Sequence, residues 1–194
     1  YSFRARPEEY DAWWGIKILP RLNQYNPVCR RYFTGENGIA QKWIRAGADG
    51  WRLDVADELP DSILDNIRKA IKTENPEGFL LGEVWEDATN KISYGTRRRY
   101  LRGAQLDSVM NYPFADAIIS YLKGGNSRDL IDAVLEILEN YPPQAVKLLM
   151  NHIGTHDTPR ILTLLGKGGI ACNEREWQSK QFLSNEELER GTSL

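Results

Sequence analysis

Gly47-Ala48-Asp49-Gly50-Trp51-Arg52-Leu53-Asp54-Val55-Ala56-Asp57 decides how the chain is read. The run predicts a short strand over about 48–55 that passes into a charged loop. Side chains alternate along a strand, so Arg52 and Asp54 leave one face, while Trp51, Leu53 and Val55 leave the other for an apolar layer. A cation and a carboxylate side by side on an inner face either pair with each other or act on something. Two later stretches repeat the design. Phe79-Leu80-Leu81-Gly82-Glu83-Val84-Trp85 is an apolar run that ends in a carboxylate. Val146-Lys147-Leu148-Leu149-Met150 leads into Asn151-His152-Ile153-Gly154-Thr155-His156-Asp157. Strands that each deliver an acid at the C-terminal end place a site at the top of a parallel sheet or barrel.

The segments between these runs are helical in pattern. Asn26-Pro27 reads as an N-cap followed by proline at the first helical position, opening a helix to about Ala46 that Gly35 and Gly38 could break. Leu59 to Thr73 carries Leu59, Ile63, Leu64, Ile67, Ala70 and Ile71 at three- and four-residue steps. Asn75-Pro76-Glu77-Gly78 turns into the strand at 79–84. Residues 88–104 read as a loop with room for a short helix, and Leu106 to Asn111 as a weaker strand. Helices are expected over Ala115–Leu122 and Asp129–Asn140, the second stopped by Pro142-Pro143. A fourth strand at about 146–152 and a helix from Arg160 to Leu165 follow, and the tail from Ala171 is assigned no structure. Strands and helices alternating at this spacing indicate βα units, right-handed crossovers and a parallel sheet. The expected fold is therefore α/β, a partial (β/α)8 barrel, since the full barrel needs about 250 residues. Residues 1–26 form a preceding loop region, 27–170 the barrel segment and 171–194 a polar tail. The open edges of such a segment should pair with missing sequence or with another copy.

The 194 residues are 41% hydrophobic and 27% charged, ordinary for a globular domain. A net charge of −2 without a basic stripe argues against nucleic acid. Arg97-Arg98-Arg99, the one dense basic cluster, reads as a solvated turn. Cys29 and Cys172 match no metal spacing and read as free thiols of a reducing, cytoplasmic compartment. No run is long enough to span a bilayer, and no signal peptide is visible, although the chain starts without Met. Of six tryptophans, Trp13, Trp14 and Trp85 lie near polar motifs. Sugar rings stack on such faces, although most tryptophans pack in cores.

Asp54 and Glu83 lie about one βα unit apart, so they can end neighbouring strands. Two carboxylates facing each other across a sugar suit retaining glycoside hydrolysis. One must be ionised to attack and the other protonated to deliver a proton, so their environments must differ. Arg52 would keep Asp54 ionised, and partial desolvation beside Leu81, Val84 and Trp85 would raise the Glu83 pKa. The plain alternative is an Arg52–Asp54 ion pair with an exposed strand-end Glu83. His156 and Asp157 suit hydrogen bonding to a hydroxylated ligand, or else a turn capped by Asp157. His152 and His156 stand four apart, as zinc ligands on a helix do, but the residues before them are strand-like and Gly154 lies between. Asp54, Glu83 and Asp107 also fit a Mg²⁺ site of a barrel lyase, a reading that leaves Arg52 unexplained. Spacing leaves these alternatives open.

Taken together, the motifs resemble the α-amylase family of glycoside hydrolases, and within it the neopullulanase, cyclomaltodextrinase and maltogenic amylase group. The match includes Gly50-Trp51-Arg52-Leu53-Asp54-Val55-Ala56, Gly82-Glu83-Val84-Trp85 and His156-Asp157-Thr158-Pro159-Arg160 in the family's order. Leu19-Pro20-Arg21-Leu22-Asn23 and Met110-Asn111-Tyr112-Pro113-Phe114 are similar to further motifs of that group. The resemblance covers about residues 10–166. It implies barrel strands four to seven, with Asp54 as nucleophile, Glu83 as general acid/base and Asp157 as stabiliser of the distorted sugar. It implies that Arg52 orients Asp54, that His156 binds hydroxyls, and that Glu58 and Trp85 serve the aglycone side. The implied substrates are cyclodextrins, pullulan, starch or maltooligosaccharides, cleaved at α-1,4 bonds, with α-1,6 bonds left open. Transfer to a sugar hydroxyl would use the same residues, and a non-catalytic carbohydrate-binding relative is the non-enzyme alternative. Calcium stays open as a cofactor through the family, while the residues themselves assign no metal. Asp57 stands where the group usually has Asn, and Glu86 where it usually has His. The family's earlier Asp and His motif, its eighth strand and its C-terminal β domain have no counterpart here. The segment is therefore expected to be inactive alone and its longer parent active.

Overall fold

A computed structural model describes residues 9–167, 179–180 and 182–194. The Asn26 side chain caps α1 (Pro27–Thr34), accepting from the Val28 and Cys29 amides at 2.8 and 3.4 Å, with Pro27 preset for the first turn. The chain breaks at 35–38, as the two glycines suggest, and resumes as α2 (Ile39–Arg45). It then runs through β1 (Gly50–Leu53), α3 (Asp61–Glu74) and β2 (Phe79–Gly82). A hairpin of β3 (Ile92–Ser93) and β4 (Thr96–Arg97) precedes β5 (Ser108–Val109). Next come α4 (Tyr112–Leu122), α5 (Ser127–Asn140), α6 (Pro143–Val146), α7 (Ile161–Lys167) and α8 (Asn185–Ser193).

β1, β2 and β5 form a parallel sheet in that order, with Arg52 beside Leu81 and Leu53 beside Gly82. The strand alternation separates two apolar layers. Leu80, Val84 and Val109 join Leu64 and Ile71 of α3 in the main core, with Trp51 and Leu53 packed against it. Phe79, Leu81, Met110 and Tyr112 cluster separately. Gly50 lets the first two strands meet: a Cβ there would lie 2.1 Å from the Phe79 carbonyl oxygen. Gly50→Ala should therefore cost about 1–3 kcal/mol through forced separation of the strands. Chemical denaturation measures this, and an unchanged midpoint would contradict the spacing.

Four expectations need correction. The strand expected at 146–152 is a single parallel bridge, Met110 to Met150. Pro143 instead starts a helical turn, and the Leu148 and Leu149 amides bond locally to the Ala145 and Val146 carbonyls. Residues 88–104 hold the β3–β4 hairpin where room was left for a helix. Its two turn residues, Tyr94 and Gly95, both have positive φ (51° and 73°), the geometry of a two-residue hairpin loop. The basic cluster is not one solvated turn. Arg98 is buried, paired with Asp61 at 3.2 Å and donating to the Leu59 carbonyl at 2.5 Å, while Arg99 pairs with Asp65. Lastly, the tail holds α8, opened by a capping box in which Ser184 and Glu187 bond reciprocally. α8 packs on α7, where Gly166 approaches the Glu187 backbone too closely for any Cβ.

Cys29 is half-buried and free, while Cys172 lies outside the described residues. Among the described residues no helix is long and apolar enough to cross a membrane.

Candidate active site

β1 and β2 end beside each other, and their hydrogen bonding runs on past both ends. The Glu83 amide donates to the Leu53 carbonyl at 2.9 Å and the Ala56 amide to the Glu83 carbonyl at 3.1 Å. Asp54 and Glu83 thus sit on loops locked to each other. Arg52, on the face expected, spans them: one guanidinium nitrogen donates to Asp54 at 2.6 Å and another lies 3.0 Å from Glu83. The fork of a guanidinium suits it to this bridging. The two acids differ sharply in burial, with the Asp54 side chain 70% exposed and that of Glu83 only 4%. Glu83 is therefore not the exposed strand-end residue of the plain alternative.

Burial of Glu83 is compensated by donors on both oxygens. Trp85 Nε1 donates to Oε1 at 2.9 Å, and the Val55 amide donates to Oε2 at 2.8 Å. The second bond depends on Val55 adopting left-handed backbone (φ 41°), costly for a β-branched residue. That conformation also ends β1 at Leu53, so Val55 does not continue the apolar face of the strand as expected.

The third acid arrives from the single bridge at Met150. Asn111 ties the segment down, its amide bonding to the Met150 carbonyl and its side chain to Asn151 at 2.8 Å. The next turn is braced by Thr155 and Thr158, whose hydroxyl accepts from the Thr155 amide at 2.7 Å. The hydroxyls do the capping, which leaves the Asp157 carboxylate facing His156 Nε2 at 3.2 Å. Asp54, Glu83, His156 and Asp157 line one open cleft of about 1030 Å³, together with Glu58 and Trp85. All the expected site residues except Arg52 reach its wall, and Arg52 touches two that do.

Trp85 stacks on Tyr112, with ring centroids 4.1 Å apart and planes 11° apart, so one of its faces is already covered. Glu58 accepts from Trp14 Nε1 at 2.9 Å and from the Tyr94 hydroxyl. The two departures from the group's pattern share a partner that sequence reading missed. Lys91 bridges Asp57, at 3.1 Å, and Glu86. Burial works against the Lys91 charge, but hydrogen bonds to the two carboxylates outweigh it and hold the pKa above the usual lysine value. Two acids where Asn and His are usual were the available signal, since such a pair calls for a cation.

Asp107 is not part of this site. It precedes β5 and accepts from Arg68 at 2.7 Å and from the Leu80 amide at 2.9 Å, near the start of β2. The Mg²⁺ lyase reading loses its third ligand on that geometry. The histidines are not a pair either, because His152 packs edge-on against Tyr112 and its nitrogens have no hydrogen-bond partner among the described residues. Among the described residues no group of three or more His, Cys, Asp or Glu side chains could hold a metal ion.

Burial lowers the His152 pKa, and the charge of Asp116 offsets this only in part. The folded pKa lies below the unfolded one, so between them the unfolded chain binds the extra proton. Stability is then lost as pH falls below about 6.5, the ordinary histidine value. An imidazole NMR resonance that disappears in His152→Gln should titrate below that value. A midpoint above it would contradict the burial.

Comparison with known proteins follows the same lines. Residues 2–193 match the family described as alpha amylase, catalytic domain. The chain is 37% identical over 160 residues to a cyclomaltodextrinase of Geobacillus thermopakistaniensis (strain MAS1), covering 81% of this chain and 25% of that protein. It is 35% identical over 153 residues to neopullulanase 2 of Thermoactinomyces vulgaris, covering 78% and 24% respectively. Among solved structures, the type III pullulan hydrolase from Thermococcus kodakarensis superposes with a TM-score of 0.74 at 31% identity, over 94% of this chain and 29% of that one. The chain thus spans about a quarter of the length of the curated relatives it matches.

Proposed function

Because the chain belongs to the α-amylase family, we propose that it carries the catalytic centre of a retaining α-glucan hydrolase. The observation that carries this reading is one guanidinium shared by an exposed and a buried carboxylate, on a cleft that a third acid also lines. Asp54, open to the cleft, is the nucleophile that attacks the anomeric carbon. Glu83 protonates the bridging oxygen as that bond breaks, and then takes a proton from the water that hydrolyses the glucosyl ester. Both Glu83 oxygens accept hydrogen bonds here, and Trp85 Nε1, Arg52 and the Val55 amide are donors only. Oε1 accepts a single hydrogen bond, from Trp85, so its second lone pair can take the proton while that bond is kept. Arg52 orients both acids, Asp157 and His156 hold hydroxyls of the distorted sugar, and Glu58 and Trp85 serve the leaving-group side.

The names of the relatives support cyclodextrins and pullulan as substrates; the proposed range extends to starch and maltooligosaccharides, cleaved at α-1,4 bonds, with α-1,6 cleavage the second reading. Residues 27–170 supply the central part of the barrel, with β1, β2 and β5 as its strands four to six and the bridge at Met150 in the place of the seventh, preceded by the loop region 1–26. The polar segment 171–194 leads toward the remaining barrel unit of a longer protein. β1 has a partner only on its β2 side among the described residues, and that edge pairs with the rest of the barrel. The chain alone should not hydrolyse maltotriose. The intact protein should release products from cyclodextrin, pullulan or starch first as the α-anomer, followed by NMR. Initial release of the β-anomer would contradict the two-carboxylate retaining reading.

A further inference from the structure

Among the described residues, the non-glycine residues with left-handed backbone are Trp14 (φ 49°), Asn37, Val55 and Tyr94 (φ 51°). Asn tolerates that conformation well, and the other three line the same cleft. Val55 is accounted for by its bond to Glu83. The hairpin turn accounts for the Tyr94 φ but not for a bulky ring at that position, and nothing comparable accounts for Trp14; both side chains are exposed, at 73% and 68%. Burial therefore cannot be what keeps them in place. Their shared partner is Glu58, whose Oε1 accepts from the Trp14 indole and from the Tyr94 hydroxyl. This one carboxylate joins two distant pieces of chain, the loop closed by the Ala12–Pro20 bridge and the tip of the β3–β4 hairpin. Strained backbone that positions exposed side chains in a cleft is a feature of ligand clamps.

Resting on the α-glucan reading above, we propose that Trp14 and Tyr94, tethered through Glu58, form a stacking platform for a glucosyl unit lying beyond those held at the acids. A pyranose has an apolar C–H face that suits an aromatic ring and a rim of hydroxyls that needs acceptors. Trp13 covers one face of Trp14 (ring centroids 4.3 Å apart, planes 12° apart), so sugar stacks on the other. Both tethering bonds fall on Glu58 Oε1, which leaves Oε2 to accept from a sugar hydroxyl. The platform makes affinity depend on glucan length.

The test compares maltoheptaose with maltotriose in the intact protein, by steady-state kinetics and by fluorescence titration, for Trp14→Ala and Tyr94→Asn. The second variant gives the turn the Asn-Gly pair that such hairpins favour, so it removes the ring while relieving the backbone. Its thermal midpoint should stay level or rise. For both variants KM and Kd for maltoheptaose should increase about tenfold, with kcat and the maltotriose constants within about twofold. Equal losses on both sugars, or no loss on maltoheptaose, would overturn the platform and leave the hydrolase reading standing. If the unsubstituted protein turned over no α-glucan, that reading would fail. The titration would still decide the platform, since unchanged maltoheptaose binding in the variants would overturn it.

Discussion

Asp54→Asn should lower turnover of α-glucans by the intact protein on the order of a millionfold, the scale seen when a covalent nucleophile is removed. An amide cannot form the glucosyl ester, and no other described acid is placed to replace it. Asp157 faces His156, and Glu83 is buried beneath two hydrogen-bond donors and the Arg52 guanidinium. The fold should tolerate the change, because the Asp54 side chain is largely exposed and its one strong partner, Arg52, keeps its pairing with Glu83. Steady-state kinetics with a thermal unfolding control separate the two effects. A variant that kept more than about a thousandth of wild-type turnover would fall short of the nucleophile scale and displace Asp54 from its role.

The second large effect is expected at Glu83. Glu83→Ala should cost about 10²–10⁴ in turnover on natural glucans, the usual worth of a general acid/base. The loss should shrink on an aryl α-glucoside whose leaving group needs no proton, because the first step then proceeds without the acid and the ester accumulates. Equal losses on both substrates would mean that Glu83 only holds Arg52 and the Val55 amide. A stability cost is expected as well, since removal leaves Arg52 with Asp54 alone in a partly buried setting.

The acids were legible because each follows an apolar run, and apolar run plus acid is a local pattern. β1 and β2 appeared where Gly50-Trp51-Arg52-Leu53 and Phe79-Leu80-Leu81-Gly82 suggested them, and α3 within two residues of its periodic stretch. Val146 to Met150 carried the same signal and misled. Whether such a run becomes a strand depends on a neighbour to pair with, and Pro142-Pro143 had already set a helical turn. The left-handed Val55 could not be read, because nothing about a β-branched residue favours φ above zero; its amide bond to Glu83, 28 residues on, goes with that conformation. Likewise, the Trp14–Glu58–Tyr94 tether and the Lys91 bridge join residues far apart in sequence, and only the fold brings them together. Ser184 and Glu187 were a different matter, since the capping-box spacing was there to be used.

Two carboxylates share Arg52 and do different work, and one measurement reaches that division directly. The intact protein carrying Glu83→Gln would be incubated with α-glucosyl fluoride, whose leaving group needs no acid, then digested and sequenced by mass spectrometry. One hexosyl group esterified to Asp54 is the predicted result. A hexosyl group on Asp157, or no adduct while fluoride is still released, would contradict it.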